Sequence, residues 1–154
     1  MTYSHFLSLI GKNIEIENNY WCYNRKEEVI SIIDKKNNKI EKGLLVNGKK
    51  EGYWVTFDTI FIIQYDTQYK NDIANGKVTH YYEGKIIIEA EEKNGIRNGK
   101  FTSYHTYPII DAQGYVKDGK RIGEWKTYSK EGKLNRIIQF ERDTFRIILD
   151  NNLE

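Results

Sequence analysis

A chain of 154 residues is long enough for one domain with a real core and too short for two of ordinary size. Its 39% hydrophobic and 14% aromatic content excludes disorder by composition, and its one cysteine, Cys22, excludes an internal disulfide. Net charge is only +2, unevenly spread: residues 51–93 carry 4 basic and 8 acidic groups, and residues 94–140 carry 9 and 4. So small a net charge gives weak nonspecific attraction to phosphate, which argues against nucleic-acid binding.

From the N-terminus, Phe6, Leu7, Leu9 and Ile10 form an apolar cluster, expected as a short helix or strand. It is too short and interrupted for a secretory signal, and no stretch approaches 18 consecutive apolar residues. The expectation is a cytoplasmic protein without a transmembrane segment. The alternation Ile14, Glu15, Ile16, Glu17 predicts a strand. Ile30 and Ile33, followed by the polar run 35–39, read as a degenerate copy of what comes next.

Four times a glycine is followed two residues later by a large apolar residue and five residues later by an aromatic. The copies are Gly52-Trp54-Phe57, Gly76-Val78-Tyr81, Gly99-Phe101-Tyr104 and Gly123-Trp125-Tyr128, with glycines 24, 23 and 24 residues apart. A period of this size marks a repeat architecture. Asn47-Gly48, Asn94-Gly95 and Asp118-Gly119 precede the motif glycines, with Asp72 in that place in the second copy; such pairs make tight hairpin turns. A second turn follows each motif, at Glu83-Gly84, Tyr107-Pro108 and 129–133, and then a second strand such as 86–91 or 134–140. One repeat is therefore one β-hairpin, and the glycines are accounted for by turns. Phe145-Arg146-Ile147-Ile148-Leu149 reads as a final strand.

Hairpins joined by tight turns pair antiparallel with their neighbours. The expected fold is all-β, an elongated antiparallel meander of repeated hairpins. It forms a single domain over 1–154: an N-terminal cap and degenerate repeat over 1–42, recognisable repeats over 43–141, and a C-terminal capping strand over 142–154.

The pattern of glycine, aromatic and Gly-Lys turns over residues 43–141 resembles the MORN repeat, and more closely its variant in bacterial antitoxin proteins. It is best preserved over residues 114–134, in Gly114, Asp118, Gly119, Lys120, Gly123, Trp125, Tyr128, Gly132 and Lys133. The resemblance implies a noncatalytic binding protein. Its partner would be a cognate protein toxin or effector, neutralised by occlusion. The alternative it implies is a scaffold that binds anionic lipid peripherally or associates with itself.

Recurrence of Trp54, Phe57, Tyr81, Phe101, Tyr104, Trp125 and Tyr128 is explained by packing. The residues one and three places after the motif glycine alternate to the opposite face from the residue at two, and they vary in type: Tyr53, Val55, Lys77, Thr79, Lys100, Thr102, Glu124 and Lys126. Varied side chains on a constant frame are how repeat proteins build a binding surface. The expected partner-binding residues are Tyr53, Thr79, Thr102 and Lys126, with the acidic band Glu83, Glu89, Glu91 and Glu92. No cofactor, metal or catalytic site is expected: His5, His80 and His105 share no repeat position, and Ser103, His105 and Asp111 lie in no recognisable catalytic setting.

Overall fold

The structure is a computed structural model that describes residues 13–16, 19–24, 29–34, 39–141 and 144–151, with side chains from residue 39 onward. The apolar cluster at Phe6 to Ile10 and the polar run at 35–38 lie outside the described residues. The chain divides into two compact units, Met1–Ile73 and Ala74–Glu154. Every regular element among the described residues is a strand.

The first unit contains β1 (Asn13–Ile16), β2 (Asn19–Asn24), β3 (Val29–Asp34), β4 (Lys39–Val46), β5 (Lys49–Asp58) and β6 (Ile63–Lys70), each antiparallel to the next. The second contains β7 (Ile73–Tyr82), β8 (Lys85–Lys93), β9 (Ile96–Thr106), β10 (Ile109–Lys117), β11 (Lys120–Tyr128), β12 (Leu134–Glu141) and β13 (Thr144–Asp150), paired in the same sequential way. The fold is the antiparallel hairpin meander that the turn chemistry and the alternation of the strands call for.

Asn47-Gly48, Asn94-Gly95 and Asp118-Gly119 each place both central residues at positive φ, as does Glu83-Gly84. This is the primed two-residue turn, whose twist matches that of the flanking strands. In the second copy Asn71 and Asp72, with φ of 51° and 67°, replace the missing glycine. Short polar side chains tolerate that region best after glycine. Three of these turns are also tied to the preceding repeat: Asp72 N–H donates to Lys50 O, Gly95 N–H to Ala74 O and Gly119 N–H to Arg97 O, at 2.8–3.0 Å.

The motif glycines do something other than turn the chain. Gly52, Gly76, Gly99 and Gly123 lie inside strands, at φ of 68°, 127°, 130° and 64°. At Gly52 and Gly123 they mark bulges. Lys42 pairs with Val55 but Leu44 with Glu51, and Gln113 pairs with Lys126 but Tyr115 with Ile122. Three residues, Gly52-Tyr53-Trp54 or Gly123-Glu124-Trp125, thus face one, Gly43 or Gly114. The positive φ lets the bulged strand kink there.

The kink lays each tryptophan flat on the opposing glycine. A Cβ added to Gly43 would stand 2.3 Å from the Trp54 ring, and one on Gly114 would stand 2.4 Å from the Trp125 ring. Each indole N–H donates at 3.0 Å to the carbonyl of the next residue, Leu44 for Trp54 and Tyr115 for Trp125. Both rings are almost completely buried, at 1% and 2% exposure. In the third copy the same two-residue register shift occurs, with Ala90 paired to Phe101. A smaller ring sits opposite a larger floor.

Cations cover the rings. Lys50 Nζ lies 4.7 Å from the Trp54 ring centroid, the Arg97 guanidinium 5.9 Å from Phe101, and the Arg121 guanidinium 4.5 Å from Trp125, each from the position two before the motif glycine. In the second copy that position is Ala74 and the ring is Val78, so cation and aromatic are absent together. Phe140 meets Trp125 edge-on at 6.1 Å and Phe145 at 5.8 Å, extending the aromatic row of the second unit to β13.

Gly43→Ala and Gly114→Ala are each expected to cost about 2–4 kcal/mol, because the ring must leave its floor and its hydrogen bond. Neither glycine has a positive φ, so backbone strain does not enter. Urea unfolding measures the loss; a change under about 0.5 kcal/mol would contradict the packing described.

Candidate interaction surface

Three residues separate the two aromatic positions of the motif, and an odd offset along a strand sends them to opposite faces. In the second unit Phe101 and Trp125 therefore share one face with Ala90, Gly114, Ile138 and Phe140, while Tyr104 and Tyr128 join the other. Ring packing on the first face joins Phe101, Trp125 and Phe140, and the two tyrosines stand apart from that row. Tyr104 Oη donates to Glu89, and Gln113 Nε2 donates at 2.8 Å to Tyr128 Oη. Both tyrosines are half-buried polar anchors.

That second face carries most of the sequence-expected binding residues. Cross-strand pairing places Thr79, Glu89, Thr102, Gln113 and Lys126 in one row, and Lys100 beside Tyr115. Lys77 Nζ pairs with Glu89 at 2.8 Å and Lys126 Nζ with Glu124 at 3.1 Å. Glu91 receives the Lys100 backbone N–H at 3.0 Å and fills the space beside Gly99. Lys100, Gln113, Gly114, Tyr115, Glu124 and Lys126 line an open groove of about 160 Å³.

Thr79 and Thr102 are only 4% and 6% exposed, so they are corrected from partner contacts to buried structural positions. They flank Glu89 in the cross-strand row. Glu92 lies on the opposite face, paired with Arg97 at 3.6 Å. Glu83 is exposed at a turn, so the four carboxylates do not form one acidic patch. Tyr53 is exposed in the first unit.

Sequence reasoning missed Gln113 and Tyr115 because it looked only at the motif strands. Both lie on β10, the return strand of the third repeat, which pairs with the motif strands β9 and β11.

Ser103, Asp111 and His105 do come together, in an order unsuited to nucleophilic catalysis. Ser103 Oγ donates at 2.9 Å to Asp111, and His105 Nε2 stands 2.8 Å from the Tyr128 carbonyl and 3.5 Å from Asp111. A carbonyl only accepts, so Nε2 carries a proton. The acid stands between serine and histidine, where activation of the hydroxyl requires the histidine there. Among the described residues no three His, Cys, Asp or Glu side chains are grouped to hold a metal ion, and no helix is long and apolar enough to cross a membrane.

The chain matches no protein-family model and none of the curated proteins with which it was compared.

The hydrogen bond from Lys77, and next that from Tyr104, holds the Glu89 carboxyl below its ordinary value. Burial, and next the Glu89 hydrogen bond, pushes the Tyr104 phenol up. A depressed carboxylate contributes stability that is complete above the ordinary glutamate range, near 4.3, and is lost as pH falls through the folded value. A raised phenol contributes stability that is complete below about 10 and is lost as pH rises through its folded value. Between pH 5 and pH 3 the native chain should lose up to about 1 kcal/mol that Glu89→Gln does not lose, since the pair is partly exposed. Denaturant titration at each pH reads the difference; parallel losses in both proteins would refute the coupling.

Proposed function

We propose that this chain is a noncatalytic protein-binding β-repeat protein, an antitoxin or immunity protein that binds a cognate bacterial toxin and occludes its working surface. The observation that carries the binding role is the second face of the Ala74–Glu154 unit. There a constant backbone frame, fixed from the opposite face by tryptophan and phenylalanine, presents tyrosines and mixed charges that differ from repeat to repeat. The MORN-like pattern supports the identity of the partner class.

Size favours a protein partner over a small ligand. The groove of about 160 Å³ is below the roughly 300–1,000 Å³ of small-molecule sites and suits a single inserted side chain. Seven strands about 4.8 Å apart, each about eight residues at about 3.3 Å, offer roughly 750 Å². A stable complex buries about 800 Å² on each partner.

Charge favours an acidic or hydrogen-bond-accepting contact. Glu89 and Glu91 are already engaged within the chain, whereas Lys100 Nζ makes no ion pair among the described residues and Tyr115 is 59% exposed. Tyrosine is among the residue types enriched in binding hot spots.

Coexpression with the product of the neighbouring gene, followed by calorimetry of the purified pair, tests the reading. Lys100→Glu combined with Tyr115→Ala is expected to weaken the complex at least 100-fold while leaving the unfolding midpoint within a few degrees; Glu83→Lys should change affinity less than threefold. Unchanged affinity in the double variant would remove this surface. Binding to anionic vesicles at low salt, with no protein complex, would replace the reading with a lipid scaffold.

A further inference from the structure

Arg121 breaks the symmetry of the repeated cations. Lys50, Arg97 and Arg121 occupy equivalent places over equivalent rings, and the first two are neutralised within the chain. Lys50 Nζ meets Glu41 at 2.8 Å, and Arg97 meets Glu92 at 3.6 Å. The position equivalent to Glu41 in the fourth copy is Ala112, and that equivalent to Glu92 is Val116, which pairs directly with Arg121. Among the described residues Arg121 has no carboxylate partner.

Its guanidinium is nonetheless held in place, 4.5 Å from the Trp125 centroid and 5.7 Å from Phe140. The residue is exposed, and no carboxylate among the described residues takes up its N–H donors. Beside it the aromatic row runs out to Phe145, 64% exposed, and Ile147, 50% exposed, on the same face. An oriented cation lacking its acid thus adjoins exposed apolar surface.

We infer that Arg121 is an anchoring point for a carboxylate on a protein partner, an aspartate or glutamate flanked by an apolar side chain that rests on Phe145 and Ile147. The partner supplies in trans the acid that Glu41 and Glu92 supply in cis. This contact lies on the face opposite the groove at Lys100 and stands independently of the toxin assignment.

The test uses the full chain and the peptide acetyl-Gly-Phe-Glu-Gly-amide, with its Gln counterpart and acetate as comparisons. Binding is followed by NMR at the Arg121 Nε–H and the Phe145 amide. Saturable shifts are expected with the Glu peptide, at least fivefold tighter than with the Gln peptide or acetate. Arg121→Met and Ala112→Glu should each abolish them, the second by restoring an acid in cis, while the Trp125 indole N–H signal, a check on the fold, stays in place. Equal binding of the Gln peptide or of acetate would overturn the inference, as would retained binding in Ala112→Glu.

Discussion

Burial of a tryptophan ring on a bare backbone is the constraint on which the rest of this structure depends. Within each unit the described strands form a single layer, so each aromatic must find its contact area within the sheet. The bulge at Gly52 or Gly123 tips the ring over, Gly43 or Gly114 provides a floor without a side chain, and the indole N–H finds a carbonyl one residue further on. Removing the floor, the kink or the acceptor would raise the ring off the sheet. Lys50 or Arg121 covers the upper side, its charged head resting over the ring in a cation–π contact.

This solution commits one face to holding the frame and leaves the other for recognition. Because the two motif aromatics are three residues apart, the tyrosines point away from the tryptophan row and become hydrogen-bonded posts for Glu89 and Gln113. Ion pairs such as Lys77 with Glu89 contribute little to stability at this exposure. Their larger consequence is to fix side-chain positions before a partner arrives, which lowers the ordering cost of binding. The same reasoning explains why Arg121, already stacked, is a better anchor than a free surface arginine.

Much of the architecture was legible in the sequence. The period, the Asn-Gly and Asp-Gly turns and the final strand at Phe145 to Leu149 all follow from local chemistry, which the structure reproduces. What escaped was the complement of the motif. Gly43, Ala90 and Gly114 stand nine residues before their motif glycines, and their size runs opposite to that of Trp54, Phe101 and Trp125. That signal depends on a register which the bulges shift by two residues, so simple hairpin counting from the turns misaligns the partners. Thr79 and Thr102 were misjudged for another reason. Alternation gives the face of a side chain, whereas burial depends on the length of its cross-strand neighbours.

The central claim is that the motif ring and the residue nine places before the motif glycine form a size-matched pair that sets the stability of the frame. A thermodynamic double-mutant cycle on Gly114 and Trp125 tests it most directly. If the claim holds, Trp125→Phe in the Gly114→Ala background, which recreates the Ala90 and Phe101 pair, will recover at least about 1 kcal/mol relative to additivity. Losses that simply add would contradict it.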